Sequence, residues 1–356
     1  MNTTLKELGF DQWFEKKYKE SAQEGFVPAR VTEVNKNNYS VRTETADLYS
    51  EAAGKFLFKS ESSLEMPASG DWVLVQSFEE DNLAIIHDIL PRKSLLKRKD
   101  PGKNLEYQLI AANIDYAFIM QSADANFNIN RLERYIVMAA DSKIQPIILL
   151  SKCDLITDAE ADKIKESLQR LNEKYPYILF SNKTGAGIDE IYKALQPGRT
   201  YCLLGSSGVG KTTLLNRLLG EEVFDVNAVR EKDSKGRHTT TRRQLIWLEN
   251  GSMIIDTPGM RELANFGIDD GLEETFDEIY SLASQCRFSD CSHVHEKGCA
   301  VIEALQNGSI DEARYINYMK IQKEAKFYEM SYLEKRQQDK KFGKMVKRIL
   351  KEQRKK

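Results

Sequence analysis

Eight residues of this chain carry the clearest chemical signal, Gly205-Ser206-Ser207-Gly208-Val209-Gly210-Lys211-Thr212, which fit G-x-x-x-x-G-K-[ST] at every fixed position. An apolar run, Tyr201 to Leu204, precedes them, and a helix-like stretch beginning at Thr213 follows. Glycines at 205, 208 and 210 allow a backbone whose N–H groups curl around a polyphosphate at a helix N-terminus, where the dipole favours anions. Lys211 is then placed for the β- and γ-phosphates, and the Thr212 hydroxyl for a Mg²⁺ ion that bridges them.

Three more polar clusters follow apolar runs. Ser151-Lys152-Cys153-Asp154 comes after Pro146 to Leu150 and is close to N-K-x-D, in which the carboxylate accepts from guanine N1 and the exocyclic amine. Adenine offers no such donor pair there. Ser181-Asn182-Lys183 comes after Tyr177 to Phe180 and is close to the S-A-K loop that packs over the same base. Asp256-Thr257-Pro258-Gly259 comes after Met253 to Ile255 and is a D-x-x-G, suited to supporting Mg²⁺ through Asp256 and to turning the Gly259 N–H toward the γ-phosphate.

A fourth cluster, Cys286-x₄-Cys291-x-His293-x₅-Cys299, offers three thiolates and an imidazole, the donor set of a closed structural zinc site; His295 is a spare ligand on chemistry alone. Four protein ligands leave no position for substrate, so this metal shapes a domain. Cys153 and Cys202, in or beside apolar runs, read as small buried groups.

The elements that position these groups follow from period and composition. With 356 residues, two or three domains are expected. No long apolar run and no signal-peptide h-region is visible, which predicts a cytoplasmic chain with no membrane partner. Residues 1–24 predict a short amphipathic helix with Leu5, Leu8, Trp13 and Phe14 on one face. Residues 25–98 predict five short strands, at Ala29–Val31, Tyr39–Val41, Lys55–Phe58, Asp71–Val75 and Leu83–Ile86, which suit an OB-fold-like barrel. The basic, turn-rich stretch from Pro91 to Gly102 reads as a linker.

Residues 99–275 alternate apolar runs with helical stretches such as Arg131–Ala140 and Ala159–Tyr175, the texture of a buried parallel sheet in an α/β domain. Ligands of such sheets sit outside the carboxyl ends of the strands, so the loops above should share one site. Residues 276–356 hold the Cys/His cluster and a helical tail with Ala313, Ile316, Met319, Tyr328 and Met330 among polar residues. Residues 334–356 carry eleven Lys or Arg against three acidic residues, on a chain whose net charge is −2. A polyanionic partner would need such a tail, and a solvated helix end would look the same.

The order of the loops is informative. In ordinary GTPases the phosphate loop comes first, and here both base-reading loops precede it, so the domain reads as circularly permuted. That order, with AANIDYAFIMQS, SKCDL, GSSGVGKTTLLN, GRHTTTRRQL, DTPGMREL and CRFSDCSHVHEKGC, resembles the ribosome small-subunit-dependent GTPase A (RsgA) family over about residues 25 to 330. The resemblance implies a GTP/GDP and Mg²⁺ site, one structural Zn²⁺ ligated by Cys286, Cys291, His293 and Cys299, a barrel that contacts rRNA, and 30S-stimulated GTP hydrolysis in subunit maturation. A monomer is expected. It further implies that the threonines of GRHTTT complete the Mg²⁺ site, Thr240 first and Thr239 close behind, and that His238 positions the attacking water; a solvated histidine in a basic loop fits that position as well.

Departures bear on the site. Ser151 stands where such GTPases carry Asn, and a hydroxyl cannot span the same distance or supply both amide donor and carbonyl, which predicts weakened guanine affinity. Asn182 replaces the usual Ala, and Met260 occupies the place where many GTPases have a water-orienting Gln. An rRNA-binding adaptor with a weakened nucleotide site is the rival reading. An ATP-dependent kinase, resting on the phosphate loop alone, is the third.

Overall fold

The structure is a computed structural model and describes residues 4–21, 25–35, 38–60, 62–99, 107–169, 171, 174–221, 243–255 and 269–329. The chain divides into two compact units, one of residues 1–97 and 109–263 and one of residues 98–108 and 264–356.

The first unit opens with α1 (Gln12–Ser21). Leu8 and Phe14 are buried with Phe10 against Trp72 and Leu74, whereas Trp13 is exposed. The expected apolar face is therefore split, and the loop before the helix supplies much of the contact.

A closed barrel follows, formed by β1 (Val27–Val34), β2 (Tyr39–Arg42), β3 (Asp47–Ala52), β4 (Trp72–Phe78) and β5 (Leu83–Ile89). The strands run β1-β2-β3-β5-β4, and β4 returns to pair with β1. Only β3–β5 is parallel. Ala29, Val31, Val41, Leu48, Val73, Val75, Ala84 and Ile86 fill its interior. Two details differ from the sequence expectation. Lys55–Phe58 is not a strand but lies in α2 (Gly54–Lys59), which buries none of its side chains and leaves Phe58 95% exposed. The fifth strand is β3, whose fully buried positions are Leu48 and Ser50, too polar an alternation to stand out.

Residues 91–102, expected to be a linker, contain β6 (Leu95–Lys99), which pairs with β7 (Tyr107–Ala112) in a two-stranded sheet. Leu96 is fully buried.

The α/β domain has the strand order β10-β9-β8-β11-β13-β12, from β8 (Tyr116–Ser122), β9 (Gln145–Ser151), β10 (Tyr177–Leu179), β11 (Thr200–Gly205), β12 (Arg243–Trp247) and β13 (Met253–Ile255). All pairings are parallel except β12–β13. β12 also pairs antiparallel with β1, so barrel and sheet are continuous through one strand. The strands read as unbroken apolar runs because both faces are covered. Ala117, Ile119, Ile148 and Leu150 pack against α3 (Ile129–Asp141) and α4 (Asp158–Gln169). Phe118, Met120, Ile147 and Leu149 pack against α5 (Ile188–Ala194) and α6 (Lys211–Leu219).

The second unit contains α7 (Asp269–Thr275), α8 (Asp277–Ala283), α9 (Ala300–Gln306) and α10 (Glu312–Glu329). Leu272, Phe276, Ile279, Val301, Tyr318 and Ile321 are among its buried apolar residues. On α10, Ala313 and Ile316 are exposed, whereas Tyr318 and Ile321 are buried. Among the described residues no helix is long and apolar enough to cross a membrane.

Candidate nucleotide site and metal cluster

The phosphate loop turns from the end of β11 into α6 around Gly205, at φ +145°. A Cβ there would lie 2.3 Å from the Met120 carbonyl oxygen, so strand β8 approaches too closely for any side chain. Val209 is buried among the α5 and α6 side chains and anchors the tip of the loop to the core. Lys211 curls back into the loop, its Nζ donating to the carbonyls of Gly205 and Ser206, each at 2.8 Å. Thr212 and Thr213 sit in the first turn of α6. Tyr135 of α3 reaches the same loop through a hydrogen bond with Ser206, and burial pushes its hydroxyl pKa up.

The parallel register brings two more loops to this edge. After β9, Lys152 adopts a left-handed conformation, φ +61°, and begins the short turn that presents Asp154. After β10, Ser181 Oγ donates to Asp154 Oδ1 at 2.5 Å and accepts from the backbone N–H of Lys183 and of Thr184, both at 3.1 Å. The carboxylate expected to read the base is thus held by the loop expected to cover it.

Both loops are tied to the phosphate loop. Ser151 Oγ donates to the Val209 carbonyl at 2.7 Å, and Asn182 Nδ2 donates to the Gly210 carbonyl at 3.1 Å. The hydroxyl of Ser151 does reach its neighbour, contrary to the distance argument from sequence, because β9 brings its Cα close enough for a short side chain. Arg217 of α6 braces the arrangement by donating from Nη1 to the Asn182 carbonyl at 2.7 Å.

Sequence reasoning missed Asp124, in the loop after β8. Its Oδ1 accepts from Ser122 Oγ at 2.7 Å and from the Asn126 amides at 2.9 Å, and its Oδ2 lies 3.5 Å from Lys152 Nζ. The Ser122 hydrogen bond first, then those from Asn126 and the charge of Lys152, bring its pKa down to about 2. The polar run Ser122-Ala123-Asp124 after an apolar strand was the available signal. Tyr135 and Arg217 gave none, since each contact depends on tertiary packing. His238, Thr239, Thr240, Asp256, Gly259 and Met260 lie outside the described residues.

In the second unit, ligand atoms of Cys286, Cys291, His293 and Cys299 all lie within 4.8 Å of one another. Cys286 and Cys299 Sγ are 3.8 Å apart, and His293 Nδ1 is 3.6 and 3.4 Å from them. A tetrahedral zinc ion with Zn–S near 2.3 Å sets its sulfur ligands about 3.8 Å apart, so the donor set and its spacing are compatible with zinc. His295 is not in this group. His293 holds φ +59°, and Tyr315 donates to its carbonyl at 2.6 Å. Burial opposes ionisation of Cys286, but the N–H groups of Ala300 and Val301 at the start of α9, together with hydrogen bonds from the Cys299 and Cys291 thiols, lower the thiol pKa. By contrast, burial alone pushes the Cys202 thiol far up, as suits an inert core group.

A phosphate loop entering a helix, the loops after β9 and β10 placed before it in the chain and beside it in space, and an appended barrel define a circularly permuted P-loop GTPase. The family model described as RsgA GTPase matches residues 89–266. The small ribosomal subunit biogenesis GTPase RsgA of Opitutus terrae is 38% identical over 330 residues, covering 90% of this chain and 89% of that protein. RsgA 2 of Lactiplantibacillus plantarum is 43% identical over 305 residues, 86% and 85% of the two chains. Among solved structures, YjeQ from Thermotoga maritima superposes with a TM-score of 0.62 at 27% identity, covering 83% of this chain and 97% of that one. YloQ, described as a circularly permuted GTPase, gives a TM-score of 0.63 at 25% identity, covering 88% and 99%. The chain belongs to the RsgA GTPase family.

Proposed function

We propose that this protein hydrolyses GTP to GDP and phosphate while bound to the small (30S) ribosomal subunit, assisting its late maturation, with the subunit stimulating turnover. Membership of a GTPase family whose curated relatives are named for small-subunit biogenesis supports the biological role. The observation that carries the chemistry is the joining of Asp154, Ser181, Asn182 and the Val209–Gly210 peptides into one sheet edge.

In this reading Asp154 accepts from guanine, Lys152 lies along the base, and Ser181, Asn182 and Lys183 close over it. The amides from Ser206 to Thr213 and the ammonium of Lys211 hold the phosphates. Thr212, Thr240 and Asp256 hold Mg²⁺, which when bound neutralises charge developing between the β- and γ-phosphates. Gly259 donates to the γ-phosphate, and His238 orients water. One zinc ion, held by Cys286, Cys291, His293 and Cys299, fixes the second unit. The division of labour follows residues 1–24 and 25–98 for helix and rRNA-contacting barrel, 99–275 for hydrolysis, and 276–356 for the zinc region and basic tail. The protein works as a cytoplasmic monomer.

Turnover of GTP and ATP by the purified protein, with and without isolated 30S subunits, tests the proposal. GTP hydrolysis raised well above its intrinsic rate by 30S, with ATP a poor substrate, is the expected result. Binding to 30S without any stimulated turnover would instead favour an rRNA-binding adaptor.

A further inference from the structure

We infer that Ser151 and Asn182 are positioning residues that aim the N–H groups of Gly210 and Lys211 at the nucleotide phosphates, joining base recognition to phosphate grip. This rests on the nucleotide site proposed above.

The two side chains bind consecutive carbonyls, those of Val209 and Gly210. A trans peptide is planar, so its N–H points opposite to its C=O. Fixing the Val209 carbonyl toward Ser151 therefore turns the Gly210 N–H the other way, and fixing the Gly210 carbonyl toward Asn182 does the same for Lys211. Those two amides open helix α6, the end of a helix that favours an anion. The peptide at Gly210 is specified twice, because its carbonyl also accepts from Leu214 N at 2.9 Å, the first turn of the helix.

Each donor is itself held. Ser151 is 1% exposed, so water does not compete for its hydroxyl. It has one proton, and Val209 at 2.7 Å is nearer than the Gln121 carbonyl at 3.3 Å. Asn182 is packed against Gly210, where a Cβ would fall 2.9 Å from Nδ2. Reversing its amide would set two oxygens against each other, which fixes Nδ2 as the atom facing the carbonyl. Through Ser181, the residue before it, the same loop holds Asp154. A continuous path thus runs from the guanine-reading carboxylate to the phosphate-facing amides. With its one proton given to Val209, Ser151 cannot serve both carbonyls, and Asn182, standing where Ala is usual, supplies the second bond.

The test is binding of fluorescent GDP with Mg²⁺, competed by GDP and by guanosine, on the full chain. Ser151→Ala and Asn182→Ala are each expected to weaken GDP about 3- to 10-fold, the range one lost hydrogen bond gives, with a smaller loss for guanosine, which carries no phosphate for the amides to hold. Ser151→Thr keeps a hydroxyl and restores GDP binding. Asn182→Asp, which presents an acceptor to a carbonyl, falls below Asn182→Ala. GDP affinities within twofold of wild type for both alanine variants, or equal losses for GDP and guanosine, would overturn the inference. Lys211→Ala separates the two levels: if it leaves GDP affinity intact, the site itself is elsewhere and the inference falls with it; if it abolishes GDP binding while the alanine variants bind normally, only the inference fails.

Discussion

Arg30 Nη2 of the barrel donates to Thr200 Oγ1 at 2.9 Å, joining strand β1 to the first residue of the strand that ends in the phosphate loop. The same guanidinium donates to the carbonyls of Leu8 at 2.6 Å, Gly70 at 3.1 Å and Asn113 at 3.3 Å, and lies over the Trp72 ring. Burial brings its pKa down to about 10, still charged at neutral pH. N-terminal loop, barrel and α/β domain therefore meet on one buried cation.

Replacing that cation leaves several buried acceptors without a donor. Arg30→Met is expected to destabilise the protein by about 3–5 kcal/mol, the sum of a few unsatisfied groups. Arg30→Lys should recover only part of this, since one ammonium cannot match the fork. Urea unfolding followed by tryptophan fluorescence measures both; a loss under about 1 kcal/mol for Arg30→Met would contradict the account.

The zinc prediction separates two histidines two residues apart. His293→Ala and Cys299→Ser should each lose the metal, whereas His295→Ala should retain one zinc per chain, because only His293 joins the three sulfurs. Metal content by mass spectrometry decides it. Chelation should also lower the helical signal of the second unit, since α9 begins at a ligand, Cys299, whose Sγ accepts from Ile302 N at 3.5 Å.

Asp124 makes stability depend on acid. Its folded pKa, about 2, lies below an unfolded value near 3.9, so its contribution is present above pH ~4 and is lost as pH falls toward 2. Asp124→Asn should therefore be less stable than wild type at pH 5, with the gap about halved by pH 3. Unfolding free energies at the two pH values test this, and a gap independent of pH would count against it.

Much of this site was legible because its chemistry is local in sequence. Gly205 to Thr212 and Cys286 to Cys299 each carry their own donors within a short span, and the apolar runs before the loops placed them on one sheet edge. What could not be read depended on distance in space. Whether Ser151 could reach the phosphate loop turned on the separation of β9 from Val209, which no side-chain length reveals. Arg30 looked like any strand arginine until four acceptors converged on it. In the barrel, aromatic Lys55–Phe58 outcompeted the polar alternation of Asp47–Ala52, although only the latter has strands on both sides.

In the proposed function Asp154 reads guanine, and the base can be changed to test it. Guanine offers two donors, N1–H and the exocyclic amine, to a carboxylate that only accepts. Asp154→Asn offers one donor and one acceptor, which suits xanthine, whose carbonyl replaces the amine. The variant should lose GTP affinity by roughly 10- to 100-fold, as expected when hydrogen bonds to a charged group go unmade, and should gain on xanthosine triphosphate. Ser181→Ala, which removes the hydroxyl holding Asp154 Oδ1, should weaken GTP binding without the change in base preference. Competition of the three nucleotides against fluorescent GDP measures both variants. If Asp154→Asn weakened all nucleotides alike, the carboxylate would be a structural group and the base would be read elsewhere.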